Sequence, residues 1–201
     1  MNLLRELSMG EIVSRIAAVI LYAGIQGLLL AVIARMMGDR RPQYDGRLTG
    51  NPFAQVSVWG VAMASLFAMS WVRPMRFDPK QNRLGRWGLV LGAVLALAAM
   101  VATVPVIDLL RPLALMLPRT GGYAVIYVLS QLQILVLASV ALNLLPIPGL
   151  IGGVLWQAIW PGEERRLLRL EPFGLALVIV GIVAGWLPNL ATMPLPWVQL
   201  R

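Results

Sequence analysis

The feature that most constrains this chain is the length of its uncharged intervals. Ile16 to Ala34 carries no charged side chain between Arg15 and Arg35, and Trp87 to Ile107 carries none between Arg86 and Asp108. Arg119 to Glu163 and Glu171 to Arg201 bound two more such intervals. About 20 apolar residues in a helix cross a hydrocarbon core of roughly 30 Å. Inside that core a backbone N–H or C=O without a partner is costly, so the segments must satisfy their own hydrogen bonds as helices. The expected fold is therefore an all-α polytopic membrane protein, a helical bundle of four to five transmembrane spans forming one membrane domain over residues 1–201. Composition agrees: the chain is 59% hydrophobic and 13% charged, against roughly 25% charged residues in soluble domains.

The charge is basic, with 17 Lys and Arg against 9 Asp and Glu. No basic, aromatic-rich soluble segment exists to grip nucleic acid, so nucleic acid is not an expected partner. In a polytopic protein this balance places arginine-rich loops beside the anionic headgroups of the lipid bilayer on the cytoplasmic side. Cysteine is absent, which excludes disulfides, and histidine is absent as well.

Five candidate spans follow from the apolar runs. The first is 12–37, preceded by an amphipathic lead-in whose Glu6 and Glu11 argue against a cleaved signal. Gly24 and Gly27 in it leave room for another helix to approach. Segment 53–71 is short and soft, with Gln55, Ser57, Ser65 and Ser70, and either spans or enters and leaves on one side. Spans 87–110 and 123–145 are firmer, the latter carrying Gln131 and Gln133. The connector after 110 is expected in the membrane interface. A short interfacial helix and a charged amphipathic turn should precede the last span, 173–189. Trp71, Trp87, Trp156, Trp160, Trp186 and Trp197 suit interface anchoring. Whether or not 53–71 spans, the positive-inside rule makes the loop 147–171 cytoplasmic, as expected in a bacterial inner membrane. The side of the N-terminus depends on 53–71.

"NLLPIPGLIGG" (143–153) is the stretch with the most specific grammar. It resembles the "NLLPIPPLDGG" element of the site-2 protease family, intramembrane zinc metalloproteases. Other stretches resemble the same family in the same order. "AVIARMMGD" (31–39) is similar to the helix end and Gly-Asp that follow its zinc-binding HExxH. "GRLTGNP" (46–52) is similar to "GRLTLNP", "SWVRPMRFDP" (70–79) to "GWAKPVPVNP", and "RLEPFG" (169–174) to "LEPYG". The family's "AGP" element has no counterpart, since residues 91–96 read "LGAVLA".

The resemblance implies where an active site would lie. Counting back from Gly38-Asp39 puts the first HExxH histidine at Gln26, its glutamate at Gly27 and its second histidine at Leu30. The third ligand, the aspartate of the "LDGG" step, falls on Ile151. All four positions are substituted, and no metal or cofactor is expected. HExxH works because residues i and i+4 share a helix face and grip one ion while the glutamate handles the water proton. Glutamine, glycine, leucine and isoleucine supply no such donors. The implied function is a catalytically inactive pseudoprotease that binds membrane protein helices or serves as an accessory subunit of a larger membrane complex. Gln26, Asn143, Pro146 and Pro148 are the candidate groove residues. Gln26 either meets a partner's backbone or bonds to a neighbouring helix. Asn143 either holds an extended segment, as the resemblance implies, or caps the last turn before Pro146. Pro146 and Pro148 break the helix. An active protease with unconventional ligands is the first rival. A small transporter or channel subunit is the second, although the spans lack the central charges it needs. A helix packer with no groove is the third.

Overall fold

The computed structural model describes residues 9–160 and 164–186. Over them the chain forms seven helices: α1 (Met9–Met36), α2 (Arg41–Tyr44), α3 (Val58–Phe67), α4 (Gly85–Ala114), α5 (Arg119–Asn143), α6 (Val154–Ile159) and α7 (Glu164–Val183). Tight 3-10 turns occupy Pro52–Ala54 and Ile151–Gly153. No β-strand occurs among the described residues, and one isolated antiparallel bridge joins Val56 to Val72. Three helices are long and apolar enough to cross a membrane, over Ile12–Met36, Gly85–Ala114 and Arg119–Asn143. They pack on one another as the core, with Ala18, Tyr22, Leu30, Leu97, Met100, Leu132 and Val136 between them.

The 53–71 segment holds no spanning helix. Within it α3 has 10 residues, a rise of about 15 Å, which is half the thickness of a bilayer core. Ser57 starts the helix by accepting a bond from the Gly60 N–H at 3.3 Å. It stops at Ala68, whose left-handed φ of 54° turns the chain. Residues 69–72 run back without helical bonds to the Val56–Val72 pair, and the Arg73 N–H bonds to the Gln55 carbonyl at 2.8 Å. The two ends of the segment thus lie side by side.

Three local expectations need correction. Gly24 and Gly27 do admit a close neighbour, but it is the 3-10 turn and not a helix. A Cβ on Gly24 would meet Pro52 at 3.3 Å, and one on Gly27 would collide with the Gln55 side chain. Trp71 is no interface anchor. It is 1% exposed and packs with Met63, Met69, Ala138 and Leu142 under α7. Trp87, Trp160 and Trp186 are exposed, and Trp156 stacks on Trp160 at 4.9 Å; Trp197 lies outside the described residues. The connector after residue 110 is shorter than expected, because α4 runs through Pro105 and Pro112 to Ala114. A proline removes one helical bond. In an apolar setting, leaving the helix would strand several more backbone groups.

α7 departs in the same way. Its charged first half and apolar second half form one continuous helix with Pro172 inside. Of the expected span 173–189, residues 173–183 are helical and 187–189 lie outside the described residues. Val178 and Ile182 pack against the Trp71 cluster.

Candidate functional site

The site begins where α5 stops. Asn143, its last residue, is 1% exposed and ties four chain segments together. Its Nδ2 lies 2.8 Å from the Ser139 carbonyl, 3.3 Å from the Ser70 carbonyl and 3.4 Å from the Tyr22 hydroxyl. Its Oδ1 accepts the Ile151 N–H at 3.3 Å. The Ser139 hydroxyl accepts the Ser70 N–H at 2.9 Å, and the Ser70 hydroxyl donates to the Gly60 carbonyl at 3.0 Å. Asn143 therefore fixes the turn that follows it and the turn after α3. Its two amide hydrogens are already committed within the chain, which favours its capping role over a grip on an external segment.

The turn itself is held by backbone bonds from Ile147 to Leu145, Leu150 to Ile147 and Gly153 to Leu150, at 2.8 to 3.1 Å. A Cβ on Gly152 would strike the Leu145 carbonyl, so only glycine lets the chain fold back here. Pro146 is exposed and its carbonyl accepts the Trp156 Nε1 at 2.5 Å.

The four degenerate positions fall on two neighbouring surfaces. Tyr22, Gln26 and Leu30 succeed one another at i+4 on the buried face of α1. Tyr22 touches Asn143, and Leu30 shares a cavity with Asn143 and Ile151. Gln26 is 1% exposed, and neither atom of its amide has a hydrogen-bond partner. Among the described residues it makes no bond to a neighbouring helix; the polar group beside it is the Tyr22 hydroxyl, one turn earlier on α1. Gly27 faces the buried Gln55 side chain, which donates to the Arg47 carbonyl at 2.7 Å. An amide, a glycine and two aliphatic side chains do not fit a zinc ion. Among the described residues no three acidic, histidine or cysteine side chains gather elsewhere.

Beside this knot lies a cavity of about 530 Å³. Leu30, Asn143 and Ile151 form its floor, the extended residues 72–77 one wall, and Pro148, Val154 and the Leu167–Glu171 turn of α7 the other. Asn143 and Pro148 line it, whereas Gln26 and Pro146 lie off it. The N–H groups of Met75, Arg76 and Phe77 make no hydrogen bond among the described residues.

Its rim carries Asp45, Arg47, Arg73, Arg76 and Glu171. Arg47 is buried, with Nη1 on the Ala54 carbonyl at 2.8 Å and Nη2 on the Arg73 carbonyl at 2.6 Å. Burial and then the neighbouring Arg73 charge hold its guanidinium below the ordinary arginine range. Burial pushes the Glu171 carboxyl up, and Arg76 pulls it partly back. The turn below is anchored by Asp39, whose carboxylate accepts the Arg41 N–H at 2.9 Å and the Asp78 N–H at 2.7 Å. Desolvation raises its pKa, and those two bonds oppose the rise.

Sequence reasoning missed a polar cluster between α4 and α5. Gln133 Nε2 donates to Asp108 at 2.8 Å and to the Val104 carbonyl at 3.0 Å, and its Oε1 accepts from Arg111 at 2.7 Å. Arg111 and Asp108 pair at 3.1 Å. The i,i+3 spacing of Asp108 and Arg111 was the available signal. No protein-family model, curated protein or solved structure matches the chain.

Proposed function

We propose that this chain is a catalytically inactive, site-2 protease-like membrane protein whose cavity accepts an extended segment of a membrane partner. The observation that carries the reading is the extended segment Met75–Phe77, which lines the cavity with Leu30 and Ile151. Its backbone N–H groups make no hydrogen bond among the described residues, so that alternate ones are open to an added chain. An extended chain laid along such an edge gains main-chain bonds, as in β-augmentation. The positions that resemble metal ligands lie on or next to this floor and carry no group able to hold zinc, which supports binding without hydrolysis. The chain would then act as an accessory subunit in a larger membrane complex.

The topology we propose has four spans, in a bacterial inner membrane. α1, α4 and α5 cross it, the 56–72 hairpin is re-entrant, and the apolar half of α7 opens the fourth span. Pairing of Val56 with Val72 supports this arrangement, because the hairpin's two ends leave together. Loops 38–52 and 73–84 then share a side with 147–171, and that side carries Arg40, Arg47, Arg73, Arg76, Lys80 and Arg83. The positive-inside rule makes it cytoplasmic. α5 ends beside Tyr22, at the middle of the 28-residue α1. The turn after it lies at membrane depth, where irregular backbone is tolerated only when it is covered by protein or lines a cavity.

A photo-crosslinker at Met75 or Phe77 tests the reading in native membranes. It should capture one defined membrane protein in stoichiometric yield, while the same group at Val94 on the exposed face of α4 captures lipid. Equal patterns at the two places remove the groove and leave a helix-packing role. One tightly held zinc per purified chain would overturn the inactive assignment.

A further inference from the structure

The cavity rim carries three arginines, Arg47, Arg73 and Arg76, that form no ion pair with a carboxylate among the described residues. Arg47 is 7% exposed, and its Nε has no partner. Arg73 and Arg76 are exposed, and among the described residues their guanidinium groups make no hydrogen bond. The acids on the same rim are Asp45, which is exposed, and Glu171, which is half-buried and whose carboxyl is pushed up by burial and pulled partly back by Arg76. Arginine forks match the oxygens of a phosphate group. Directly inward of this rim the walls change character: Leu30, Val72, Phe77, Leu150, Ile151 and Val154 are apolar, with Asn143 and Gln157 the polar exceptions. Asn143 is already bonded within the chain.

We propose that the cavity is a binding site for one anionic phospholipid, its phosphate on Arg47, Arg73 and Arg76 and the upper part of an acyl chain against Leu30, Val72 and Ile151. Two features favour a lipid over an acidic peptide as the occupant of rim and floor. Methylenes need no hydrogen bonds, so an acyl chain suits the apolar lining at Leu30, Val72, Leu150, Ile151 and Val154, whereas a peptide's polar groups would find their donors only along Met75–Phe77. The volume, about 530 Å³, holds a headgroup and the first methylenes and leaves the remaining chain length in the bilayer. The site rests on the cavity alone and does not require the partner reading. A lipid seated here would have to leave before a partner segment could lie along Met75–Phe77.

Native mass spectrometry of the full chain in mild detergent, titrated with dioleoylphosphatidylglycerol, tests this. The expected result is one retained lipid per chain, binding about tenfold weaker in the Arg73→Gln/Arg76→Gln double variant and tighter in Glu171→Gln. All three positions are at the rim and outside the packed core, so folding can be checked by unchanged helical content. Retention of phosphatidylglycerol that is equal in wild type and double variant overturns the proposal. So does binding of inorganic phosphate alone with the affinity of the lipid, which would make this a soluble-anion site. Binding of an acidic peptide in the absence of lipid binding would do the same. Crosslinking at Met75 reads the partner separately, so either idea can fail while the other stands.

Discussion

α4 and α5 are both long apolar helices, yet they occupy the protein differently. In their most apolar stretches α5 is 56% buried and α4 is 22% buried. The more buried helix is the one whose polar side chains are buried: Ser130, Gln133, Ser139 and Asn143 all point inward on α5. α4 shows Leu91, Val94, Leu95, Val101 and Leu109 to its surroundings. In water the opposite would hold. In a bilayer, lipid satisfies apolar surface as well as protein does, so inward position is decided by hydrogen bonding and close packing. The lesson is that hydropathy locates these helices, and polar residues decide which one forms the centre.

That contrast is open to direct attack. The largest effect is expected from Asn143→Leu. It leaves the Ile151 N–H without its partner and the Ser70 carbonyl with the Tyr22 hydroxyl alone, and should cost about 3 kcal/mol, read as a lower denaturant midpoint in detergent micelles. Gly152→Ala comes next, because its methyl group would press on the Leu145 carbonyl. It should cost about 2 kcal/mol by the same measurement. Gln133→Leu removes the α5 side of the Asp108–Arg111 cluster and should cost about 1 kcal/mol. The smallest effect belongs to α4: Val94→Ala and Leu109→Ala should stay within about 0.5 kcal/mol. If the α4 variants cost as much as Asn143→Leu, α4 is not lipid-facing and another subunit covers it.

Much of the fold was legible in the sequence because charge-free runs of helical length have one structural meaning in a membrane. The three long helices lie where those runs lie, with ends shifted by a few residues. The shifts have a physical reason. Pro112 and Pro172 look like stops, since proline deletes a helical bond, but both helices continue through them. The hairpin at 53–71 was only half legible. Its serines marked it as soft, but the Val56–Val72 pair that closes it joins residues far apart in sequence.

The site was legible unevenly as well. The "NLLPIPGLIGG" grammar pointed to a fixed turn, and Asn143 does fix one. Leu30 and Ile151, far apart in the sequence, line the same cavity. The arginine rim could not be read, because Arg47, Arg73 and Arg76 come to line one cavity only once the chain has folded. Nor could the unpartnered amide of Gln26, since a mid-span glutamine ordinarily finds a neighbour.

The end of α5 beside Tyr22 has an electrical consequence. In the topology we propose, a helix that stops beside the middle of α1, followed by a cavity with a charged mouth, would let the dielectric of the cytoplasmic solution reach partway through the insulating slab. The membrane potential, about 2.3 kcal/mol per elementary charge per 100 mV across the full thickness, would then fall mostly over the remaining outer half. A carboxylate introduced at Ile151 would sit at the edge of that steep region, and its ionisation would respond to voltage as well as to pH.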